Sequence, residues 1–379
     1  MQNPSLVADS QELKAWLRLT LEPGLGTVSA KNLLARFGLP ELVFEKKFTE
    51  LASVIGEKLA LQLLAPCSEA IQVQIDKTME WLQQRDHHIL TLADAAYPKS
   101  LFDTHDPPIL LYVDGQLSVF EKSAIAIVGT RNATLGGEHN ARSFGKYLAE
   151  QGWCVVSGLA RGIDGAAHEG ALSSGKETAT IAVMGTGINR IYPAEHRDLA
   201  VRIKHQGALL SEFPLDTRSE AFRFPLRNRI VAGLSQGVLV VEAAQKSGSL
   251  ITARLAGELG KEIFAIPGSI HSTLSRGCHQ LIRQGAKLVE TGQDVLEELG
   301  YMVSSPAPQP DEQVKKGNIP IEFKPVLAMM GFDPVSPSEL QQQLKLSDAE
   351  FSQILVGMEL QGIIVRLSDG RYQQVHTDG

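Results

Sequence analysis

Ala124-Ile125-Ala126-Ile127-Val128-Gly129-Thr130-Arg131 sets the reading of this chain. Five apolar residues in a row, then a glycine turn, describe a strand buried on both faces. The same grammar recurs. Trp153–Val156 runs into Ser157-Gly158-Leu159-Ala160-Arg161-Gly162, and Ala179–Met184 runs into Gly185-Thr186-Gly187. Gly237–Val241 runs into Glu242-Ala243 and then Ser247-Gly248-Ser249. Helix-length segments separate these runs, so the pattern is βαβ and the sheet parallel. Ligands of such sheets collect beyond the carboxyl ends of the strands, where these turns lie.

Each turn offers a binding reading and a plain one. Gly129-Thr130-Arg131 would let backbone approach a ligand and project a guanidinium, or it is a tight turn with a solvated arginine. Ser157–Gly170 adds Arg161, Asp164 and His168. Asp164 is expected to cap the helix that holds His168, and no third ligand for a metal stands at suitable spacing. Gly170–Lys176 approaches a phosphate-loop motif but fails it, because Glu177 follows the lysine and the order is helix then strand. Tyr192 could stack on a base, with Arg190 and Arg197 near phosphates. Phe222–Ile230 places Arg223, Arg227 and Arg229 among Phe222, Phe224 and Asn228. Arginine beside aromatic suits an unpaired strand, while the other reading is a helix start with both phenylalanines in the core. Ser247, Gly248, Ser249 and Thr252 open a helix whose free amides and hydroxyls suit a phosphate. The domain closes with Glu262–Ile266, a helix over Leu274–Gln284 and Ala286–Glu290.

The chain has 379 residues, enough for two or three domains, and its 43% apolar and 21% charged residues are ordinary for a globular protein. A net charge of −7 counts against a general polyanion binder but says little about one cleft, so any nucleic-acid site is a local basic patch. Three separated cysteines, Cys67, Cys154 and Cys278, fit a reducing compartment. No apolar run reaches membrane-spanning length and no leader is evident near Met1, so the expected location is the cytoplasm.

Residues 1–105 read as a small helical domain. Its Pro23-Gly24-Leu25-Gly26 turn, followed by a helix with Ser29 as cap, resembles a helix-hairpin-helix (SAM-like) element or serves packing alone. Leu90–Pro108 reads as a joining strap, and Ile109–Val113 as a strand. Residues 106–302 form the α/β domain, 303–318 a proline-bearing linker. Residues 319–379 give three helices and a hairpin, a winged-helix pattern. Its third helix begins with Asp348 and Glu350 and has no cation before Leu360, which favours protein interaction over duplex reading.

The ordered set of Val128–Arg131, Ser157–Asp164, Gly185–Gly187 with Tyr192-Pro193, Phe224–Arg229 and Ser247–Thr252 resembles the DNA-processing protein A (DprA/Smf) family over roughly residues 90–300. The resemblance implies an extended Rossmann-like α/β fold with helical and winged-helix flanks. It implies a homodimer that binds single-stranded DNA without catalysis, cofactor or metal. It further implies loading of the RecA recombinase against single-strand-binding protein during natural transformation or recombination. Arg131 is then the leading DNA contact, with Gly129, Thr130, Arg161, Arg197, Arg227, Asn228, Arg229, Ser247, Gly248, Ser249 and Thr252 beside it. The dimer surface falls at Leu274, Leu281 and Ile282. Two rival readings are a Rossmann-like nucleotide phosphoribohydrolase, with Glu212, Glu242 or Asp164 as acid or base, and a winged-helix transcription regulator.

Overall fold

The computed structural model describes residues 10–301, 320–330, 334–344, 346–367 and 369–374. The linker expected at 303–318 lies outside these residues. The described N-terminal region holds α1 (Ser10–Leu21), α2 (Thr27–Phe37), α3 (Pro40–Phe44), α4 (Phe48–Ile55), α5 (Glu57–Leu64) and α6 (Glu69–Trp81). The turn before α2 places Gly24 at φ +80°, a conformation glycine adopts without strain. Gly26, not Ser29, stands at the N-cap of α2; Ser29 is already inside the first helical turn. The cap expectation is corrected accordingly, because the second glycine ends the turn and leaves no room for a longer loop.

The sheet is built from β1 (His87–Thr91), β2 (Leu110–Gly115), β3 (Ala124–Val128), β4 (Cys154–Ser157), β5 (Thr180–Val183), β6 (Gly207–Ser211), β7 (Gly237–Val240), β8 (Glu262–Ala265) and β9 (Lys287–Leu288). Its order is β1-β2-β6-β5-β4-β3-β7-β8-β9. From β6 to β9 neighbouring strands pair in parallel, while β2 pairs antiparallel with both β6 and β1. Two strands were not anticipated. β1 begins before the stretch read as a strap and runs only into its first two residues, and β6 ends in Glu212-Phe213-Pro214, with no glycine turn after it.

The crossovers are α7 (Leu135–Glu150), α8 (Ile163–Ser173), α9 (Arg197–His205), α10 (Arg223–Leu234), α11 (Ser249–Glu258), α12 (Arg276–Arg283) and α13 (Gly292–Glu298). Side-chain alternation along β3 divides the core. Ala126 and Val128 pack with Ile230, Val231, Ala253 and Leu281 from α10, α11 and α12. Ile125 and Ile127 pack on the other face with Phe144, Leu148 and Ala167 from α7 and α8. Further along that face, Tyr112 and Leu209 join Leu199 and Ile203 of α9 and the core of the N-terminal helices, such as Trp16 and Leu33. The helical unit is thus seated on the sheet.

The chain winds leftward from β3 through β4 and then returns through α10 to β7, on the other side of β3. Such a reversal splays the adjoining loops and opens a crevice at the carboxyl end of the sheet. The turns after β3, β4, β5 and β7 all emerge there. Helix α7 begins at that edge because Thr134 accepts the Gly137 amide at its N-cap.

Near the C-terminus lie α14 (Lys324–Met330), α15 (Pro337–Leu344), α16 (Asp348–Leu360), β10 (Ile364–Arg366) and β11 (Tyr372–Gln374). The two strands pair antiparallel. Phe323, Val326, Leu340, Phe351, Leu355 and Tyr372 make a separate core. This is the winged-helix arrangement expected. Ser347 caps α16 in a capping box with Glu350.

Candidate nucleic-acid interface

The crevice contains a cavity of about 360 Å³ whose lining includes Gly129, Thr130, Arg131, Asn228, Ser247, Gly248, Ser249 and Thr252. With Ala160 and Asp164 also in the lining, four separate segments of chain meet. The Thr130 amide donates to the Glu242 carbonyl at 2.8 Å, locking the β3 turn to the β7 turn. A Cβ on Gly129 would fall 2.9 Å from that same carbonyl and 2.5 Å from Ile163, so the junction requires glycine. Gly248 is the N-cap of α11 and makes no side-chain cap bond. The Ser247 and Ser249 hydroxyls lie 2.7 Å apart beside it. Asn228 spans to this turn through Nδ2, which donates to the Gly248 carbonyl at 3.4 Å.

Arg131 is exposed, and its guanidinium lies over the Phe224 ring at 5.2 Å. Tyr192 lies against Phe224, the ring centroids 5.6 Å apart and the planes tilted by 40°. Gly185 makes room for this ring, since a Cβ there would meet Phe224 at 2.9 Å. A second cluster follows, with Arg223 over Phe222 at 4.9 Å and Phe213 at 5.7 Å. Phe222 and Tyr192 are 57% and 47% exposed, so the aromatic faces at this edge are not core. Phe213 was not singled out from the sequence; its place just after β6 becomes visible only once β6 is known.

The other named cations are placed differently. Arg161 is exposed in the β4 turn and forms an ion pair with Glu195. Arg197 is exposed at the first residue of α9, outside the cavity lining. Arg229 pairs with Glu212 and lies 4.0 Å from Asp106. Arg227 is 4% exposed, and its Nη1 donates to the Val183 carbonyl.

Asp164 is not a helix cap. The N-cap of α8 is Gly162, and the Asp164 carboxylate instead reaches back to accept the Gly158 and Ala160 amides at 3.1 and 3.4 Å. Burial pushes its pKa up, against the pull of the Arg227 charge and of those amides. His168 is fully buried, and its Nδ1 meets Thr180 Oγ1 at 2.7 Å. That hydroxyl already donates to the Val155 carbonyl, so His168 must be the donor. Glu242 accepts from the Thr134 amide and hydroxyl at 3.0 and 2.6 Å. The three carboxylates considered as an acid or base are thus each engaged by fold contacts.

Of the residues named for a dimer surface, Leu281 lines an apolar groove of about 610 Å³ with Leu250 and Ile263 at the β8–β9 end of the sheet. Ile282 packs partly against the α10–α12 core. Leu274 lines a different cavity, beside Glu242 and Pro267.

Fold and crevice together define a doubly wound α/β protein with hydroxyls and a guanidinium at the carboxyl edge of its sheet. Residues 88–300 match the family described as DNA recombination-mediator protein A, and residues 305–370 match the DprA winged helix domain. The chain is 44% identical over 274 residues to Protein Smf of Escherichia coli K12, covering 70% of this chain and 71% of that one. It is 45% identical over 213 residues to the DNA processing protein DprA of Streptococcus pneumoniae R6, covering 56% and 74%. The solved structure of DNA processing protein A from S. pneumoniae superposes with a TM-score of 0.65 at 36% identity, over 77% of this chain and 98% of that one. The protein belongs to the DprA/Smf family. A structure of the Helicobacter pylori DNA processing protein A, described for its single-stranded DNA binding mode, matches at 31% identity with a TM-score of 0.51, over 56% of this chain and 95% of that one.

Proposed function

We propose that this protein binds single-stranded DNA along the carboxyl edge of its sheet and passes the strand to a RecA-type recombinase without catalysing a reaction. The observation that carries the reading is the meeting of Arg131, the Phe224 ring with Tyr192 against it, and the Ser247–Ser249 turn at the start of α11 around one crevice. An unpaired strand offers phosphates to the guanidinium and the serine hydroxyls, and bases to the rings. A duplex hides its base faces and gains nothing from the aromatic stack. Gly129, Thr130, Arg131, Asn228, Ser247, Gly248, Ser249 and Thr252 are the proposed contacts, with Arg161 and Arg197 flanking them. Homodimerisation through the Leu281–Ile282 region, displacement of single-strand-binding protein, a role in natural transformation and a cytoplasmic location complete the reading. Among the described residues no helix is long and apolar enough to cross a membrane.

Helix α16 carries no cation, so the winged-helix unit is assigned to protein contact and not to the strand. The test is equilibrium binding of an oligodeoxynucleotide over a salt series. Affinity should fall with salt, and Arg131→Ala should lower the slope by about 0.7, the value for one lost phosphate contact on a single strand. Salt-independent binding, or equal preference for duplex, would overturn the proposal.

A further inference from the structure

Arg227 and Asp164 line the crevice, yet neither is free to meet a strand. Arg227 rises from α10 beneath the β4 turn. A Cβ on Gly158 would lie 2.0 Å from its Nη1 and 2.4 Å from its Cζ, so the glycine face rests on the guanidinium plane. Nη1 is spent on the Val183 carbonyl at the end of β5, and Nε is buried without a hydrogen-bond partner. Asp164 rises from the first turn of α8 and holds the Gly158 and Ala160 amides from the other side. One loop, Gly158 to Arg161, is thus gripped by two buried groups of opposite charge. His196 adds a third hold, its Nδ1 3.0 Å from the Leu159 carbonyl. Leu159 itself sits at φ +58°, a conformation that a non-glycine residue keeps only when its surroundings impose it.

We propose that Asp164 and Arg227 are positioning residues, a buried brace that fixes the β4 turn and the start of α10 so that Arg131, Phe224 and Asn228 converge on the strand. This rests on the reading of the edge as a single-strand site. It reassigns Arg227, which the sequence pattern groups with the contacts. Burial supports the assignment physically: the Arg227 pKa is pushed down to about 10 by desolvation, with the Asp164 charge opposing the shift. A guanidinium that reached phosphate would have to leave Asp164 uncompensated in the interior, which is costly.

The sign of one substitution separates the roles. Were the crevice only a field of charges, Asp164→Asn would remove a carboxylate near the DNA and strengthen binding. As a brace it should weaken binding, by about tenfold. Arg227→Gln should weaken binding to a similar extent at every salt concentration, with the slope of wild type, because no phosphate contact is lost. Arg131→Ala, measured beside them, should change the slope. Arg227→Lys should fail to rescue, since an ammonium cannot lie flat beneath Gly158. Should Asp164→Asn not yield folded protein by circular dichroism, Gly158→Ala is the second probe. Its Cβ would lie 2.0 Å from Nη1 and displace the guanidinium, so a brace expects loss of binding at the wild-type salt slope, whereas loss of a phosphate contact would lower the slope. Tighter binding by Asp164→Asn or Gly158→Ala, or a slope lowered by Arg227→Gln, would overturn the brace. Failure of wild type to bind single strands at all would instead overturn the proposed function.

Discussion

His168 ties the stability of the α/β domain to pH. The imidazole is carried by α8 with 0% exposure, and burial, then the His196 and Arg227 charges, lower its pKa from 6.5 to about 3. The folded protein therefore keeps His168 neutral where the unfolded chain protonates it. A group whose folded pKa is depressed contributes stability that is present above the unfolded value and lost as pH falls. The window runs from about 6.5 down to about 3. Between pH 7 and pH 5 the unfolded chain gains most of one proton that the native state refuses, which costs about 2 kcal/mol. The raised carboxyls of Asp164 and Glu212 act in the opposite sense, so wild type alone cannot isolate the effect. His168→Asn can. Its Nδ2 replaces Nδ1 as donor to Thr180, and it does not titrate. Urea unfolding at a series of pH values should show wild type losing more stability than His168→Asn on acidification, by about 2 kcal/mol at pH 5. The absolute stability of the variant is not the readout, because it also loses packing. Equal pH slopes in the two proteins would refute the reasoning.

Gly170→Ala should destabilise the fold by about 1–3 kcal/mol, although alanine is the better helix former. A Cβ at Gly170 would lie 2.1 Å from the Arg142 carbonyl on α7, and backbone cannot yield there, so an unchanged melting temperature would refute this close crossing. Native labelling with a maleimide should modify Cys67 alone, since Cys154 and Cys278 are buried and burial raises both thiols, Cys278 to about 12. Three labels without denaturant would show that the sheet core opens.

How far the sequence discloses this molecule depends on what each residue must satisfy. Strand β3 is legible because every residue of Ala124–Val128 is buried, and a strand with no wet face leaves an unbroken apolar run. Strand β1 is an edge strand beginning His87-His88, where His87 stacks on Trp81 at the end of α6 and the first three residues are only half-buried, so no apolar run forms. The cations at the crevice divide on the same principle. Phe222–Arg229 looks uniform as composition, since an exposed arginine and a buried one are spelled alike. Helical spacing does tell them apart. Arg227 stands three, four and seven residues before Ile230, Val231 and Leu234, all buried, so it heads the apolar row of α10 and must point inward. Arg223 stands four before it, but at the start of the helix, where the row runs out past the sheet edge and the side chain meets Phe222 instead. A charge that falls on an apolar row needs partners already in place, and here they are the Val183 carbonyl, 44 positions upstream, as hydrogen-bond acceptor and the charge of Asp164 from the first turn of α8. No local pattern reports partners at that separation. The turn that needs bracing, Gly158–Arg161, was visible as a glycine turn; what held it was not, because its supports converge only after β3, β5 and α10 have been laid side by side.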